Sequence, residues 1–167
     1  MKIHFKEIMA RGEIEGHTRL ESFAPMRILF LCTANACRSQ MAEHWARHFA
    51  VEQGSMTAFA SAGTVPSHPD ARMLAVMAEA GVSVEGAQST ALELYAGEDW
   101  DLAVTLCDGA AAACPLLPGV ARTRHQPFPD PGAASGSKEK VLDEFRRVRD
   151  LIRDFVQGLL AKEAVPS

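Results

Sequence analysis

The run Arg27-Ile28-Leu29-Phe30-Leu31 is almost wholly apolar, is of strand length, and ends at Cys32. It lacks the polar alternation of a half-exposed strand, so it calls for a parallel sheet covered on both faces. From Ser39 onward Ala42, Trp45, Ala46, Phe49 and Ala50 recur at helical spacing, and Gly54 stands where a helix C-terminal cap belongs. A buried strand, a short loop and a helix in that order commit the chain to an α/β arrangement. The same alternation continues. Thr57 to Ser61 reads as a second strand closed by Ala62-Gly63. Pro69 suits the first turn of a second helix, with Leu74, Met77 and Ala78 as its buried stripe and Gly81 as its stop. The spacing of Thr90 to Glu93 fits a capping box for a shorter helix. Asp101 to Leu106 is a third strand leading into Cys107, and Val120 to Gln126 a weaker fourth. Val141, Leu142, Phe145, Val148, Ile152, Phe155, Val156 and Leu159 form one stripe on a last helix from about Lys138 to Ala161. The expected fold is a three-layer α/β domain, a four-stranded parallel sheet flanked by helices on both faces.

A chain of 167 residues, 47% of them hydrophobic, suffices for one domain with a packed core. That domain is expected over residues 26–163, after an N-terminal extension (1–25, ending at Pro25) of unknown role and before a short tail (164–167). No internal repeat is present, and Pro127, Pro129, Pro131 and Gly132 to Ser137 read as a loop rather than a linker. The net charge of -4 and the absence of an isolated Lys/Arg run argue against nucleic acid or an anionic membrane as partner. Arg146, Arg147, Arg149 and Arg153 alternate with Asp143, Glu144, Asp150 and Asp154, as on a solvated helix face. No stretch approaches the roughly 20 apolar residues of a membrane span, and charges interrupt residues 1–25 too often for a signal peptide. A cytoplasmic location is expected. Thiols are kept reduced there, so four cysteines point to catalysis, redox cycling or metal binding rather than a disulfide framework.

The chemistry concentrates in Cys32-Thr33-Ala34-Asn35-Ala36-Cys37-Arg38-Ser39, between the first strand and the first helix. A loop of this length can wrap its backbone N–H groups around a tetrahedral oxyanion, to which the helix N-terminus adds donors and partial positive charge. The planar fork of Arg38 can hold two of the anion's oxygens. Thiols beside cations or helix N-termini ionise more readily than a free one, which suits Cys32 to nucleophilic attack, and the Ser39 hydroxyl can hydrogen-bond the thiolate. Cys37 reads as a packed bystander. Cys107 and Cys114 are seven residues apart, not the two-to-four-residue knuckle of a structural zinc site, and no metal is expected. Asp130, between Pro129 and Pro131, either shapes a turn or offers a carboxyl group as general acid. Cys32, Cys107 and Asp130 follow strands one, three and four, and ligands bind beyond the carboxyl ends of the strands in open parallel sheets.

The Cys32 loop resembles that of the low-molecular-weight protein tyrosine phosphatases, and the resemblance runs from about Arg27 to Leu160. Cys107 and Cys114 resemble the extra cysteines of thioredoxin-coupled arsenate reductases, which share that fold. Gln40-Met41-Ala42-Glu43, Ser61-Ala62-Gly63, Val104-Thr105-Leu106-Cys107, Cys114-Pro115-Leu116-Leu117-Pro118 and Phe145-Arg146-Arg147-Val148-Arg149-Asp150 match in the same way. The resemblance implies a monomer that reduces arsenate to arsenite with no bound cofactor and thioredoxin as external reductant. Cys32, Arg38, Cys107, Cys114 and Asp130 would be catalytic, and Thr33, Ala34, Asn35, Ala36, Cys37, Arg38 and Ser39 would bind the oxyanion. Three departures stand out. Gly132 replaces the aromatic residue that phosphatases of the superfamily usually carry after the Asp-Pro pair, which favours a small inorganic anion. Ala34 stands where glycine is common. Asn35, Glu43 and Ser61 match a potassium site of some members, but its aspartate position holds Ala91, which argues against a potassium requirement. The alternatives are a phosphomonoester phosphatase and, in another class, a non-catalytic arsenite or redox sensor.

Overall fold

The computed structural model describes residues 24–113 and 117–164. The N-terminal extension up to residue 23, the final three residues and Cys114, Pro115 and Leu116 lie outside the described residues. The elements run β1 (Arg27–Cys32), α1 (Arg38–Gln53), β2 (Ala58–Gly63), α2 (Ala71–Glu79), a 3-10 helix (Leu92–Tyr95), β3 (Leu102–Thr105), α3 (Asp108–Ala113), β4 (Thr123–His125), a 3-10 turn (Pro131–Ala133) and α4 (Lys138–Glu163). The four strands form one sheet in the order β2-β1-β3-β4, every pair parallel. The chain leaves β1 for one side of the sheet and returns to β3 on the other, so the ends of β1 and β3 border the crevice where such sheets bind ligands.

The side chains of β1 divide the core. Ile28 and Phe30 point into the larger apolar cluster, with Met41, Trp45 and Phe49 of α1, Met73, Val76 and Met77 of α2, and Phe145, Val148, Ile152 and Val156 of α4. Leu29, Leu31 and Cys32 belong to a smaller cluster on the other face, with Leu92, Trp100, Ala103, Cys107 and Ala110. Alternation of period two from Ile28 to Leu31, on a strand buried from both sides, produces these two layers, and Cys32 at the strand end departs from it. Helices therefore cover both faces, the second one thinly.

Two local expectations are corrected. Pro69 does not open α2. Asp70 caps that helix, its carboxylate accepting from Arg72 N at 2.8 Å, a bond that satisfies a first-turn N–H and that proline cannot supply. Thr90 does not form a capping box either: the 3-10 helix begins after Ala91 with no side-chain cap, and Thr90 N donates instead to Asn35 Oδ1 at 2.8 Å. The segment after Cys107, for which the sequence suggested no element, is helical as α3. The C-terminal stop of α1 is as expected: Gly54 adopts a φ of 63° and its N–H caps the carbonyls of Ala50 and Val51.

Candidate active site

The loop between β1 and α1 is held from outside by its own carbonyl groups. Cys32 O accepts from Thr64 N, Thr33 O from Val65 N, Ala34 O from Ser67 N and Ala36 O from Asp70 N, at 2.9 to 3.3 Å. Asn35 O accepts from Ser89 Oγ at 2.7 Å and Gln40 Nε2 at 3.1 Å. With every carbonyl from Cys32 to Ala36 turned into this wall, the N–H groups are left for the interior of the loop. One of them, Asn35 N, donates to Cys32 Sγ at 3.2 Å. The turn is made possible by Asn35, whose φ of 49° makes it the only non-glycine residue in the left-handed region among those described. Ala34 keeps its Cβ without penalty because the left-handed position is its neighbour. Gly63 at the end of β2 is the close-packing requirement: a Cβ there would lie 2.5 Å from Thr33 O and 2.8 Å from Asn35 N, both backbone atoms of the loop.

The loop encloses one wall of an open cavity of about 460 Å³, lined by Cys32, Thr33, Ala34, Ala36, Cys37, Arg38, Asp70, Asp130 and Gly132. Cys37 stands at the N-terminus of α1 and makes no side-chain cap, so no side chain competes for the first-turn N–H groups of that helix. Arg38 is anchored by Nη1 donating to Phe128 O at 3.0 Å, two residues before Asp130. Asp130 is exposed on the opposite rim, its Oδ1 accepting from Gly132 N at 2.9 Å. Ser39 Oγ is 2.8 Å from Cys32 Sγ. A thiol, a guanidinium, a helix N-terminus and a carboxyl group thus line one open cavity. Residues 27–165 match the low molecular weight phosphotyrosine protein phosphatases. The chain belongs to this family.

Curated relatives are narrower in description than the family. An arsenate reductase of Bacillus subtilis (strain 168) is 37% identical over 125 residues, 75% of this chain and 88% of the relative. An arsenate reductase of Staphylococcus aureus (strain Newman) is 32% identical over 135 residues, 81% of this chain and 96% of the relative. Among solved structures, an arsenate reductase in the phosphate binding state aligns with a TM-score of 0.69 at 28% identity, covering 82% of this chain and 98% of that one. A low molecular weight protein tyrosine phosphatase from T. tengcongensis shares the fold at a TM-score of 0.69 and 21% identity, covering 82% of this chain and 99% of that one.

A second thiol, Cys107, stands beside this loop. Its Sγ lies 3.3 Å from Thr33 Oγ1, one residue along from Cys32, and 3.4 Å from Ala110 N in the first turn of α3. Both thiols are buried in the same apolar cluster, and neither is in a disulfide. The parallel register pairs Leu31 with Thr105, so Cys32 and Cys107 leave adjacent strands at nearly the same level. Cys37 is of a different character. Burial, reinforced by Asp70, Asp130 and Cys32, pushes its thiol up to about 12. Sequence reasoning missed the wall: Val65, Ser67 and Asp70 act through backbone N–H groups that any residue carries, and Ser89 and Gln40 through side chains with no distinctive spacing.

Proposed function

We propose that this chain reduces arsenate to arsenite by a relay of three thiols. The observation that carries the reading is the Cys107 thiol beside Thr33, next to a Cys32 anion loop of the phosphatase type; dephosphorylation has no use for a second thiol there. Likeness over most of the chain to proteins described as arsenate reductases supports the same substrate. In the relay, Cys32 attacks the arsenic atom while Arg38 and the loop N–H groups neutralise charge, and Asp130 protonates the departing oxygen. Cys107 then attacks the Cys32 sulfur. The electron pair of the arsenic–sulfur bond stays on arsenic, which passes from the +5 to the +3 state and leaves as arsenite. The Cys32–Cys107 disulfide is opened by Cys114, giving Cys107–Cys114, and an external dithiol such as thioredoxin restores the reduced enzyme. The chain would act as a cytoplasmic monomer, where such a reductant is available.

No potassium would be needed in this reading, because the Glu43 carboxylate already has a cationic partner, Arg47 Nη2 at 2.5 Å. The test is arsenite release coupled to NADPH oxidation through thioredoxin and its reductase, in potassium and in sodium buffers of equal ionic strength. The parent chain should turn over equally in both. Cys107→Ser should release no arsenite, and Cys114→Ser should complete a single turnover and stop. Sustained cycling of Cys114→Ser with thioredoxin would sink the relay. Release of phosphate from phosphomonoesters without arsenite production would favour the phosphatase alternative, for which Cys32, Arg38 and Asp130 suffice. Stoichiometric arsenite binding without turnover would favour a sensor.

A further inference from the structure

His125 reaches both sides of Cys107. It is the last residue of β4 and pairs in parallel register with Thr105, the last residue of β3. Its Nδ1 is 2.9 Å from Thr105 Oγ1, two residues before Cys107, and its Nε2 is 3.0 Å from Asp108 Oδ1, one residue after it. A carboxylate only accepts, so the Asp108 bond requires a proton on Nε2. In the neutral ring Nδ1 is then an acceptor. It takes the proton of the buried Thr105 hydroxyl, whose other partner, Arg124 O, is farther away at 3.4 Å.

The two ends of this bracket differ in rigidity. On the sheet side Leu106 N donates to Leu31 O at 2.8 Å, Gln126 N to Thr105 O at 2.9 Å and Phe128 N to Leu106 O at 3.1 Å, so the backbone holds Thr105 and His125 in place. Asp108 opens the short helix α3 and is exposed. On the far side of the turn α3 meets the anion loop closely. Cys107 Sγ is 3.3 Å from Thr33 Oγ1, and a Cβ on Gly109 would lie 3.0 Å from the same oxygen. The first turn of α3 is thus seated between Thr33 and His125, and slack at Asp108 passes directly to the adjoining Cys107.

We infer that His125 is a positioning residue for Cys107: it ties the start of α3 to the sheet, keeps the Cys107 sulfur at the anion loop, and must let go before that sulfur turns toward Cys114. Under the proposed relay, on which this inference rests, Cys107 serves twice. It first attacks Cys32. In the second exchange the Cys114 thiolate attacks the Cys107 sulfur, the Cys32–Cys107 bond breaks, and Cys32 leaves as a thiolate. The first event needs Cys107 held and the second needs α3 released, so the strength of the His125 bracket sets the balance between them.

The test reads the thiols directly and needs no substrate: alkylation of Cys107 and Cys32 by iodoacetamide in the full, reduced chain at a pH of about 8, followed by peptide mass spectrometry. A buried thiol reacts through the locally open state, so its rate follows the opening equilibrium. Exposed pairs of this kind shift such an equilibrium by up to a factor of about five, so Asp108→Ala should label Cys107 about three- to fivefold faster and leave Cys32 unchanged. His125→Ala should do the same, and the double variant should add nothing to either single one. Asp108→Asn should stay within about twofold of the parent chain, because its amide oxygen still accepts from Nε2. In arsenate single turnover, transfer of the disulfide to Cys107–Cys114 should speed up by the same factor, with arsenite release near the parent rate.

Parent-like labelling of Cys107 in Asp108→Ala overturns the inference. An Asp108→Asn variant as fast as Asp108→Ala does so too, since the effect would then belong to the charge beside the thiol and not to the bond. Equal acceleration at Cys32 would mean general loosening, and a transfer step unmoved in a variant that labels faster would remove His125 from the relay. Asp108 is exposed, so its replacements open no void and carry the test even where His125→Ala fails to fold. Absence of arsenate turnover in the parent chain would sink the proposed function and leave the labelling comparison intact.

Discussion

Cys37 is the more exposed of the two loop thiols, 8% against 3% for Cys32, yet its surroundings make it the less reactive. Burial, then the carboxylates of Asp70 and Asp130 and the neighbouring Cys32, push it up to about 12, so at any pH well below that value it stays a thiol, and the thiolate is the nucleophile. Cys32 instead receives Asn35 N and the Ser39 hydroxyl. Limited alkylation at pH about 8 should therefore label Cys32 and spare Cys37, with Cys37 reacting only as the pH climbs toward its raised value. Peptide mapping checks this, and faster labelling of Cys37 would show that access outweighs ionisation. At this scale the sequence was legible where covalent spacing does the work. Cys32, Arg38 and Ser39 are placed by a loop of fixed length between a strand and a helix. The donors that shape the loop from outside, Val65 N, Ser67 N and Asp70 N, were illegible because a backbone N–H leaves no mark in residue type.

The element on which the relay turns is α3. It has six residues, of which Ala110 is the one fully buried, and its helical bonding includes Ala111 N to Cys107 O at 3.1 Å. Helices shorter than about 12 residues are marginal without tertiary support, and Gly109 weakens this one further. A side-chain pin, His125 Nε2 to Asp108 Oδ1 at 3.0 Å, joins groups that are 41% and 93% exposed, and such pairs contribute at most about 1 kcal/mol. Opening α3 should therefore cost far less than global unfolding. Hydrogen exchange should find the amides of residues 110–113 exchanging orders of magnitude faster than those of α4 around Phe145 and Ile152; equal protection would deprive the relay of its moving part. The strands and long helices were legible because their apolar periods are long. The short pieces were not. At Pro69 a local preference lost to the Asp70 carboxylate cap, and at Thr90 a capping signal lost to the tertiary bond with Asn35, while Asp108 followed by one glycine and four alanines gave no apolar period that marks a helix.

Across the whole molecule the sheet separates what holds the fold from what carries the chemistry. The larger cluster, where α1, α2 and α4 meet, contains Phe30, Met41, Met73, Met77, Phe145 and Ile152, all fully buried. The smaller one holds Cys32 and Cys107 together with Ala110 of α3. Truncating a buried phenylalanine removes transfer energy and leaves a cavity, at about 3–5 kcal/mol. Phe145→Ala should thus lower the unfolding free energy obtained from urea titration by an amount of that order, with arsenate turnover per folded molecule unchanged in the absence of urea. Ala110→Leu places extra volume in the thin layer, where overpacking costs about 1–3 kcal/mol. The structure can relieve that strain by lifting α3, since little else pins it, so the smaller loss of stability should come with the larger loss of turnover. Urea titration and turnover measured on the two variants give a crossed result if the layers are independent in this way. A Phe145→Ala enzyme whose kcat falls as steeply as that of Ala110→Leu would mean that the sheet transmits strain from one face to the other and that stability and chemistry are not divided between its two sides.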